Sequence, residues 1–323
     1  MNKPTVFIII LNWNAYQLTL DCFFTIQLMN RTGCNIRVVV VDNASTADYD
    51  LKYIDRFNGF HFSLINYKKI PKSKLIKTEL LKNSQNLGYA GGNNAGIRYA
   101  MDNGADYILI LNNDTNVDSN LLIELLQAAK SHPKGGIFAP KIYFFPGGEF
   151  HKDRYTKSDR GNVIWAAGGE IDWQNIYGVN RGLDQVDTGQ FNNLEQVDMV
   201  SGCCILLTKQ AIQKLQGFDD RYFLYYEDVD LSIRAKKLGL EIWYVPTAKL
   251  WHRNAGSSGV GSNLHDYFIS RNRMLIGMQF APLRTKLALI RESVRLLFSG
   301  RLWQRKGIID FYLQKFGQGS YQP

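Results

Sequence analysis

The chain has 323 residues and carries 38 Lys and Arg against 29 Asp and Glu, a formal charge of +9. Hydrophobic residues make up 45% and aromatic residues 13%, which excludes a disordered chain and allows a large core. Charged residues interrupt the longest apolar helical stretch, residues 283–298, and so exclude a single membrane-spanning helix there. The apolar N-terminal run lacks a cleavage site, and the four cysteines lack metal-ligand spacing. We therefore expect a reduced, cytosolic protein.

Apolar runs and helical patterns alternate along the first half of the chain. β-branched runs at residues 6–11 and 37–41 predict strands that are buried on both faces, with a helix between them. This order is typical of a parallel sheet. The pattern further predicts a helix at 92–103, a strand at 107–111, a helix from about 118 to 130 and a strand at 136–144.

The second half is less regular. Residues 147–193 show no clear periodicity, and the basic, Pro-interrupted segment 68–82 of the first half predicts a surface insertion. Regular patterns then predict a strand within 197–207, a helix ending near 215, a helix at 227–238, a strand at 240–245 and only helices from about 261 onward.

Polar residues follow three of the predicted strands directly. Asn12, Asp42 and Asp114 each lie just past a strand, and the carboxyl ends of parallel strands meet at one rim, where ligands bind. Asp and Asn are also common in turns. The Gly-rich stretch 86–96 could bring backbone amides close to a phosphate at a helix start, or form a simple turn. It lacks the order of a dinucleotide fingerprint or a P-loop.

The segment Asn112-Asn113-Asp114-Thr115 resembles a D-x-D diphosphate and metal motif in which Asn replaces the first acid. A hard cation needs oxygen ligands and more than one protein side chain. His252 is the best second candidate because the strand before it should end at the same rim. A purely structural role for this histidine is the alternative.

Glu227 and Asp228 open a predicted helix and follow the aromatic segment 218–226. Acids near a helix N-terminus are often there for stability alone. In apolar surroundings, however, such an acid can act as a general base toward a hydroxyl.

In their order and spacing, these motifs resemble the family-2 inverting glycosyltransferases with the GT-A fold, in the rhamnosyltransferase-like branch. The resemblance covers about residues 5–260 and implies an α/β fold of GT-A type, with a mostly parallel central sheet flanked by helices. We therefore expect a catalytic domain, 1–260, with a nucleotide-sugar half at 1–145 and an acceptor half at 146–260. The helical patterns beyond it predict a C-terminal helical appendage, the basic region 261–323. The motifs are IIILNWN, VVVVDNAS, QNLGYAGGNNAG, LILNNDT, VSGCCILLTK, GFDDRYFLYYEDVDLSIRAKKLG and WHRNAGSS.

The resemblance also implies roles for individual residues. Asp228 would be the catalytic base, and Glu227 would position the acceptor or the base. Asp114 and His252 would bind a divalent metal, Mg²⁺ or Mn²⁺. The nucleotide-sugar-binding residues would be Asn12, Asp42, Asn86, Gly88, Asn112, Asn113 and Asp114.

The basic charge is concentrated near the C-terminus, where residues 264–323 contain ten Lys and Arg and three acids. Apolar residues at helical spacing form a stripe within residues 283–298, and basic residues flank it. Such a helix can lie on an anionic membrane, and the alternative is packing on the catalytic domain or a second subunit. The chain shows no nucleic-acid-binding motif, so we expect no nucleic-acid partner. We expect peripheral contact through 283–306 with the inner face of a bacterial cell membrane.

These features predict transfer of a sugar, possibly rhamnose, from a dTDP- or UDP-linked donor to a glycan or lipid-linked saccharide in cell-surface polysaccharide synthesis. One alternative is a nucleotidyltransferase that makes nucleotide sugars. Such an enzyme would need a basic Gly-rich loop after the first strand, where Asn12-Trp13-Asn14 stands. The other alternative is a nucleotide- or glycan-binding module without turnover.

Overall fold

The structure, a computed structural model, describes residues 3–46, 76–253 and 261–322. Within these residues a central sheet of eleven strands and a separate two-stranded sheet form the framework. The strands are β1 Thr5–Asn12, β2 Asn35–Asp42, β3 Lys77–Lys82, β4 Tyr107–Asn112, β5 Thr115–Val117, β6 Gly135–Phe144, β7 Val163–Ala166, β8 Gly169–Asp172, β9 Tyr177–Asn180, β10 Gln185–Val186, β11 Glu195–Gln196, β12 Cys204–Thr208 and β13 Glu241–His252. The α-helices are α1 Tyr16–Gln27, α2 Gly88–Asp102, α3 Leu121–Ser131, α4 Lys209–Leu215, α5 Glu227–Lys237, α6 Asn263–Phe280, α7 Leu283–Ser299 and α8 Leu302–Tyr312.

Strands β3, β2, β1 and β4 lie side by side and are all parallel. Strand β12 then pairs antiparallel with both β4 and β6, and β13 runs parallel to β6. The α/β class with a helix-flanked central sheet is thereby confirmed. In the register, Asn12 pairs with Asp42 and Leu11 with Asn112, so the carboxyl ends of β1, β2 and β4 coincide.

Helix α2 packs closely on β1 and β2 because glycines face the sheet. A Cβ atom on Gly96 would lie 2.6 Å from Cγ2 of Ile9, and one on Gly92 would lie 2.5 Å from Cδ1 of Leu11. Both distances are shorter than real Cβ contacts, so a larger residue would require the Ile9 or Leu11 side chain, or the helix itself, to shift. Gly92 and Gly96 therefore serve helix–sheet packing.

Two expected elements differ from the structure. The strand predicted at 240–245 extends to His252, because β13 resumes its pairing with β6 after a register shift between Val245 and Lys249. Within the predicted insertion 68–82, residues 77–82 form β3, which pairs along β2, so this part belongs to the sheet. Residues 68–75 lie outside the described residues.

The C-terminal region is helical, as expected, and α6 packs on α8. Helix α7 turns Leu289 and Ser293 inward, and both side chains are buried. Most of its predicted apolar stripe faces the opposite way, with Leu283 73% exposed and Phe298 80% exposed, whereas Leu297 is partly buried against an apolar cluster. Only this edge of the stripe therefore packs on the rest of the chain. Among the helices described, none is both long and apolar enough to cross a membrane.

Candidate active site

Asn12 and Asp42 lie at the carboxyl ends of adjacent strands and are both buried. The Asn12 Nδ2 atom donates to Asp42 Oδ1 at 3.2 Å, and its Oδ1 atom accepts from the Thr19 hydroxyl at 2.7 Å. That hydroxyl in turn accepts from Asn113 Nδ2 at 3.0 Å. The rim predicted from the strand ends is therefore one hydrogen-bonded network that joins β1, β2, α1 and the turn after β4.

The turn Asn86–Gly88 is tied to this rim by a residue that sequence reasoning missed, Asn43. Its Nδ2 atom donates to Asn86 Oδ1 at 2.8 Å and to the Gly88 carbonyl at 3.0 Å. Its Oδ1 atom accepts from the Leu87 amide at 3.1 Å. The only signal in the sequence was its position next to Asp42.

The start of α2 does not offer amides to a phosphate. The amides of Tyr89 and Ala90 both donate to the carbonyl of Phe223, at 2.6 and 3.2 Å. Gly88 has a φ of +70°, and a Cβ atom there would lie 2.4 Å from the same oxygen. The amides of the Gly-rich stretch thus bind a carbonyl of the loop that contains Phe223, and not the phosphate that the sequence suggested.

Asp114 and His252 come together as predicted, with His252 Nε2 lying 3.1 Å from Asp114 Oδ1. Strand pairing explains this contact, because His252 ends β13 opposite Thr115 of β5. The edge of the Trp165 ring packs on the imidazole, with 4.7 Å between centroids. Among the described residues, the buried His252 Nδ1 atom has no hydrogen-bond partner.

This donor set fits a divalent cation that is shared with a ligand. The carboxylate is a suitable ligand for Mn²⁺ or Mg²⁺, and the imidazole adds a nitrogen ligand that the softer Mn²⁺ accepts more readily than Mg²⁺. In the part of the chain that the structure describes, no cluster of three or more His, Cys, Asp or Glu side chains could hold a metal. A cation at this pair would therefore depend on oxygen atoms from a bound diphosphate.

Glu227 and Asp228 begin α5 and differ in their surroundings. Asp228 is partly exposed; its Oδ2 atom accepts from the Gly202 amide at 2.9 Å and its Oδ1 atom from the Val229 amide at 2.8 Å. Glu227 is buried, and its Oε2 atom has no partner among the described residues.

The two carboxyl groups therefore titrate differently. Burial, and then the nearby charge of Asp228, raises the pKa of Glu227 well above its usual value. Burial also raises the pKa of Asp228, but the amides of Gly202 and Val229 stabilise its charged form and oppose that rise. Asp228 is the member of the pair that more readily carries the negative charge.

Backbone contacts connect the two carboxylate sites. The Asn112 amide donates to the carbonyl of Cys203 at 2.9 Å, and the preceding residue, Gly202, donates to Asp228. The hydroxyl of Tyr89 also donates to the Gly202 carbonyl. The turn before β12 thus links β4, which ends two residues before Asp114, to the helix that carries Asp228. Sequence reasoning missed Tyr89, which no motif spacing distinguishes.

A mixed sheet with acidic side chains at the carboxyl ends of its parallel strands is the arrangement expected from the GT-A resemblance. The profile of glycosyl transferase family 2 matches residues 7–216, so the chain belongs to that family and is a glycosyltransferase. This confirms the resemblance seen in the sequence.

Two curated relatives are similar to this chain, one a rhamnosyltransferase and the other a hexosyltransferase. The chain is 28% identical over 244 residues to an N-acetylglucosaminyl-diphospho-decaprenol L-rhamnosyltransferase of Mycobacterium tuberculosis, covering 73% of this chain and 72% of the relative. It is 24% identical over 251 residues to the low-salt glycan biosynthesis hexosyltransferase Agl10 of Haloferax volcanii, covering 77% of this chain and 69% of that one.

Solved structures support the fold. A crystal structure of GalNAc-T7 with UDP, GalNAc and Mn²⁺ aligns with a TM-score of 0.64 at 12% identity, covering 97% of this chain and 57% of that one. Residues 1–349 of Staphylococcus aureus TarS in complex with UDP-GlcNAc align with a TM-score of 0.55 at 13% identity, covering 95% and 79%. At these identities the likeness concerns the fold alone.

Proposed function

We propose that this glycosyltransferase inverts the configuration of the sugar it transfers, from a dTDP- or UDP-linked donor to a glycan or lipid-linked saccharide acceptor in cell-surface polysaccharide synthesis. Rhamnose is the first sugar to test, since the M. tuberculosis relative is described as an L-rhamnosyltransferase that acts on a lipid-linked saccharide. The observation that carries the proposal is the pair of carboxylate centres, Asp114 with His252 and Asp228 with Glu227, joined through the turn at Gly202.

The donor binds along the rim of β1, β2 and β4. Asp42 and Asn12 contact the base or ribose, with the Asn86–Gly88 turn beside them. Asp114 and His252 would hold Mg²⁺ or Mn²⁺, with Asn112 and Asn113 adjacent. When bound, the cation neutralises charge on the departing diphosphate.

The acceptor hydroxyl binds at Asp228, which removes its proton. The acceptor oxygen then bonds to the anomeric carbon from the face opposite the diphosphate, and the bond from that carbon to the diphosphate oxygen breaks. This single displacement needs no covalent enzyme intermediate and inverts the anomeric centre. Because burial raises the pKa of Glu227, this side chain keeps its proton and orients the acceptor or Asp228 through a hydrogen bond.

Thermal unfolding in the presence of UDP, dTDP or GDP with Mn²⁺ tests the donor half of this proposal. A ligand at 100 times its Kd stabilises the folded state by about 2.7 kcal/mol, which raises Tm by several degrees. We expect a clear preference for one base, and we expect Asp42→Ala to weaken it. Equal Tm values with and without all three nucleotides would contradict the proposed donor class.

We further propose that α7 holds the enzyme on the inner face of the cell membrane. The exposed stripe comprises Leu283, Leu287, Ile290, Val294 and Phe298. Arg284, Arg291 and Arg295 flank this stripe and are exposed, so an anionic lipid surface complements the face in both polarity and charge.

Changing Arg284, Arg291 and Arg295 together to Gln is expected to weaken binding to anionic liposomes. Each basic residue contributes about 1 kcal/mol near such a surface, so the loss is on the order of 100-fold. Co-sedimentation with liposomes that contain phosphatidylglycerol measures it. The matched control changes the exposed Lys152, Lys157 and Arg160 to Gln, with the same loss of charge. Equal losses in both variants, or no binding by the wild-type chain, would contradict the membrane proposal.

A further inference from the structure

Arg271 lies in the middle of α6 with its side chain completely buried. Its Nη2 atom donates to the carbonyls of Arg221 and Tyr222 at 3.0 and 2.9 Å, and its Nη1 atom donates to the carbonyl of Gly317 at 2.6 Å. Burying a guanidinium is costly unless its donors are satisfied. These donors are satisfied by backbone oxygens of the loop before α5 and of the C-terminal segment.

Asn272, the next residue, is also completely buried and contacts the same loop. Its Nδ2 atom lies 2.9 Å from the Tyr222 carbonyl, 2.8 Å from that of Leu224 and 2.9 Å from that of Tyr225. The Asn272 Oδ1 atom accepts from Arg271 Nε at 3.0 Å, which orients the amide. Two adjacent side chains of one helix thus act on a single loop.

The loop at residues 221–226 has a backbone conformation that its residues disfavour. Phe223, Tyr225 and Tyr226 have φ values of 64°, 67° and 70°, in the left-handed region that side chains with a Cβ atom avoid. Such conformations persist only where surrounding contacts enforce them, and they concentrate at functional sites.

The Phe223 carbonyl is held from the other side of the loop. Phe223 O accepts the amides of Tyr89 and Ala90 at the start of α2, and the Phe223 ring stacks on Phe268 of α6, with 5.1 Å between centroids. Every carbonyl from residue 221 to residue 225 therefore accepts a hydrogen bond from outside the loop. Hydrogen bonds from both α2 and α6 therefore hold the loop.

This loop leads directly into α5, the helix that begins with Glu227 and Asp228. Tyr226, its last residue, is the N-cap of α5, and Asp228 follows two residues later. The position of the Asp228 carboxylate against the Gly202 amide therefore depends on the path of residues 221–226.

We propose that Arg271 and Asn272 are positioning residues that hold this strained loop so that Asp228 faces the acceptor. This inference rests on the proposed role of Asp228 as base. It makes α6, which lies beyond the part of the chain that carries the family motifs, a component of the active site.

Two variants test the inference, with one matched control. Arg271→Lys keeps the positive charge but cannot reach several carbonyls at once, and Asn272→Ala removes the contacts to Leu224 and Tyr225. Arg273→Lys is the control, because Arg273 lies on the same helix and its ion-pair partner Glu292, at 3.0 Å, and its hydrogen-bond partner, the Asn175 carbonyl at 2.7 Å, lie outside the loop.

Hydrogen exchange of the Gly202 amide, which donates to Asp228, reports the carboxylate position without an activity assay. We expect this amide to exchange at least about tenfold faster in Arg271→Lys and in Asn272→Ala than in the wild type. In Arg273→Lys we expect its exchange rate to be that of the wild type. In turnover, a displacement of about 1 Å costs on the order of 100-fold. We expect kcat to fall by that order in Arg271→Lys while the Kd for the nucleoside diphosphate stays the same.

The outcomes separate this inference from the proposed function. Faster exchange at Gly202 together with full activity in Asp228→Asn would mean that the loop is held as proposed but that the base assignment is wrong. Wild-type exchange and kcat in both variants, with Asp228→Asn inactive, would overturn the positioning role alone. Asn272→Ala leaves Arg271 in place, so it keeps the test available if Arg271→Lys does not fold.

Discussion

Replacing Asp228 with Asn is expected to lower acceptor-dependent transfer by about two to four orders of magnitude, the usual contribution of a general base. The amide has nearly the same shape as the carboxylate but cannot take the proton of a hydroxyl. Donor binding should be close to normal, because the donor residues Asn12, Asp42 and Asp114 lie on other elements. Steady-state rates together with a nucleotide binding titration measure the two effects separately.

Glu227→Gln is the matched control for that variant. Burial raises the pKa of Glu227, so its protonated form is favoured and Gln imitates that form. We expect a smaller loss of kcat than in Asp228→Asn. Equal losses in the two variants would contradict the division of roles between them.

The same variant has a consequence for stability. An acid whose pKa is raised by folding stabilises the protein fully below its unfolded pKa, near 4.5, and this contribution is lost as pH rises through the folded value. Asp228, Asp230 and Tyr89 are the titratable groups around it. Urea unfolding at several pH values should show that Glu227→Gln loses less stability than the wild type between acid and neutral pH. If the free energy of unfolding changed with pH by the same amount in Glu227→Gln and in the wild type, Glu227 would not keep its proton in the folded state.

The second large effect is expected at the metal site. Asp114→Ala should weaken nucleoside-diphosphate binding at least about tenfold, or 1.4 kcal/mol, in the presence of Mn²⁺, and hardly at all in EDTA. The reason is that Asp114 supplies the only carboxylate of the Asp114–His252 pair. Calorimetric titration in both buffers measures the difference.

Asp118→Ala is the control, since this acid lies just past β5 and accepts from the Asn120 amide. It should bind nucleotide as the wild type does in either buffer. A loss in Asp114→Ala that is the same with Mn²⁺ and with EDTA would remove its proposed metal role.

The rim and the Asp114–His252 contact could be predicted from the sequence because they follow from strand direction. Continuous apolar runs define β1, β2 and β4, and the residue after each run must lie at the same edge. His252 lies at this rim even though β13 is longer than expected, since a longer strand in the same direction still ends there. Its role as a metal ligand stays a prediction.

Contacts made through the backbone could not be predicted. The Phe223 carbonyl at the start of α2 and the carbonyls bound by Arg271 and Asn272 leave no residue pattern, because every residue has a carbonyl. The orientation of α7 could not be predicted from the sequence either. Apolar spacing predicted the helix, but contacts of Leu289 and Ser293 determine which face turns inward.

Acceptor-dependent release of nucleoside diphosphate is the most direct test that this chain transfers a sugar by deprotonating its acceptor. The assay uses dTDP-rhamnose and UDP-sugars with Mn²⁺ and a polyprenyl-diphosphate-linked GlcNAc, and compares the wild-type chain with Asp228→Asn. We predict release by the wild type that requires the acceptor, an inverted anomeric linkage in the product by NMR, and almost no release by the variant. A retained linkage, or equal release by the variant, would contradict it.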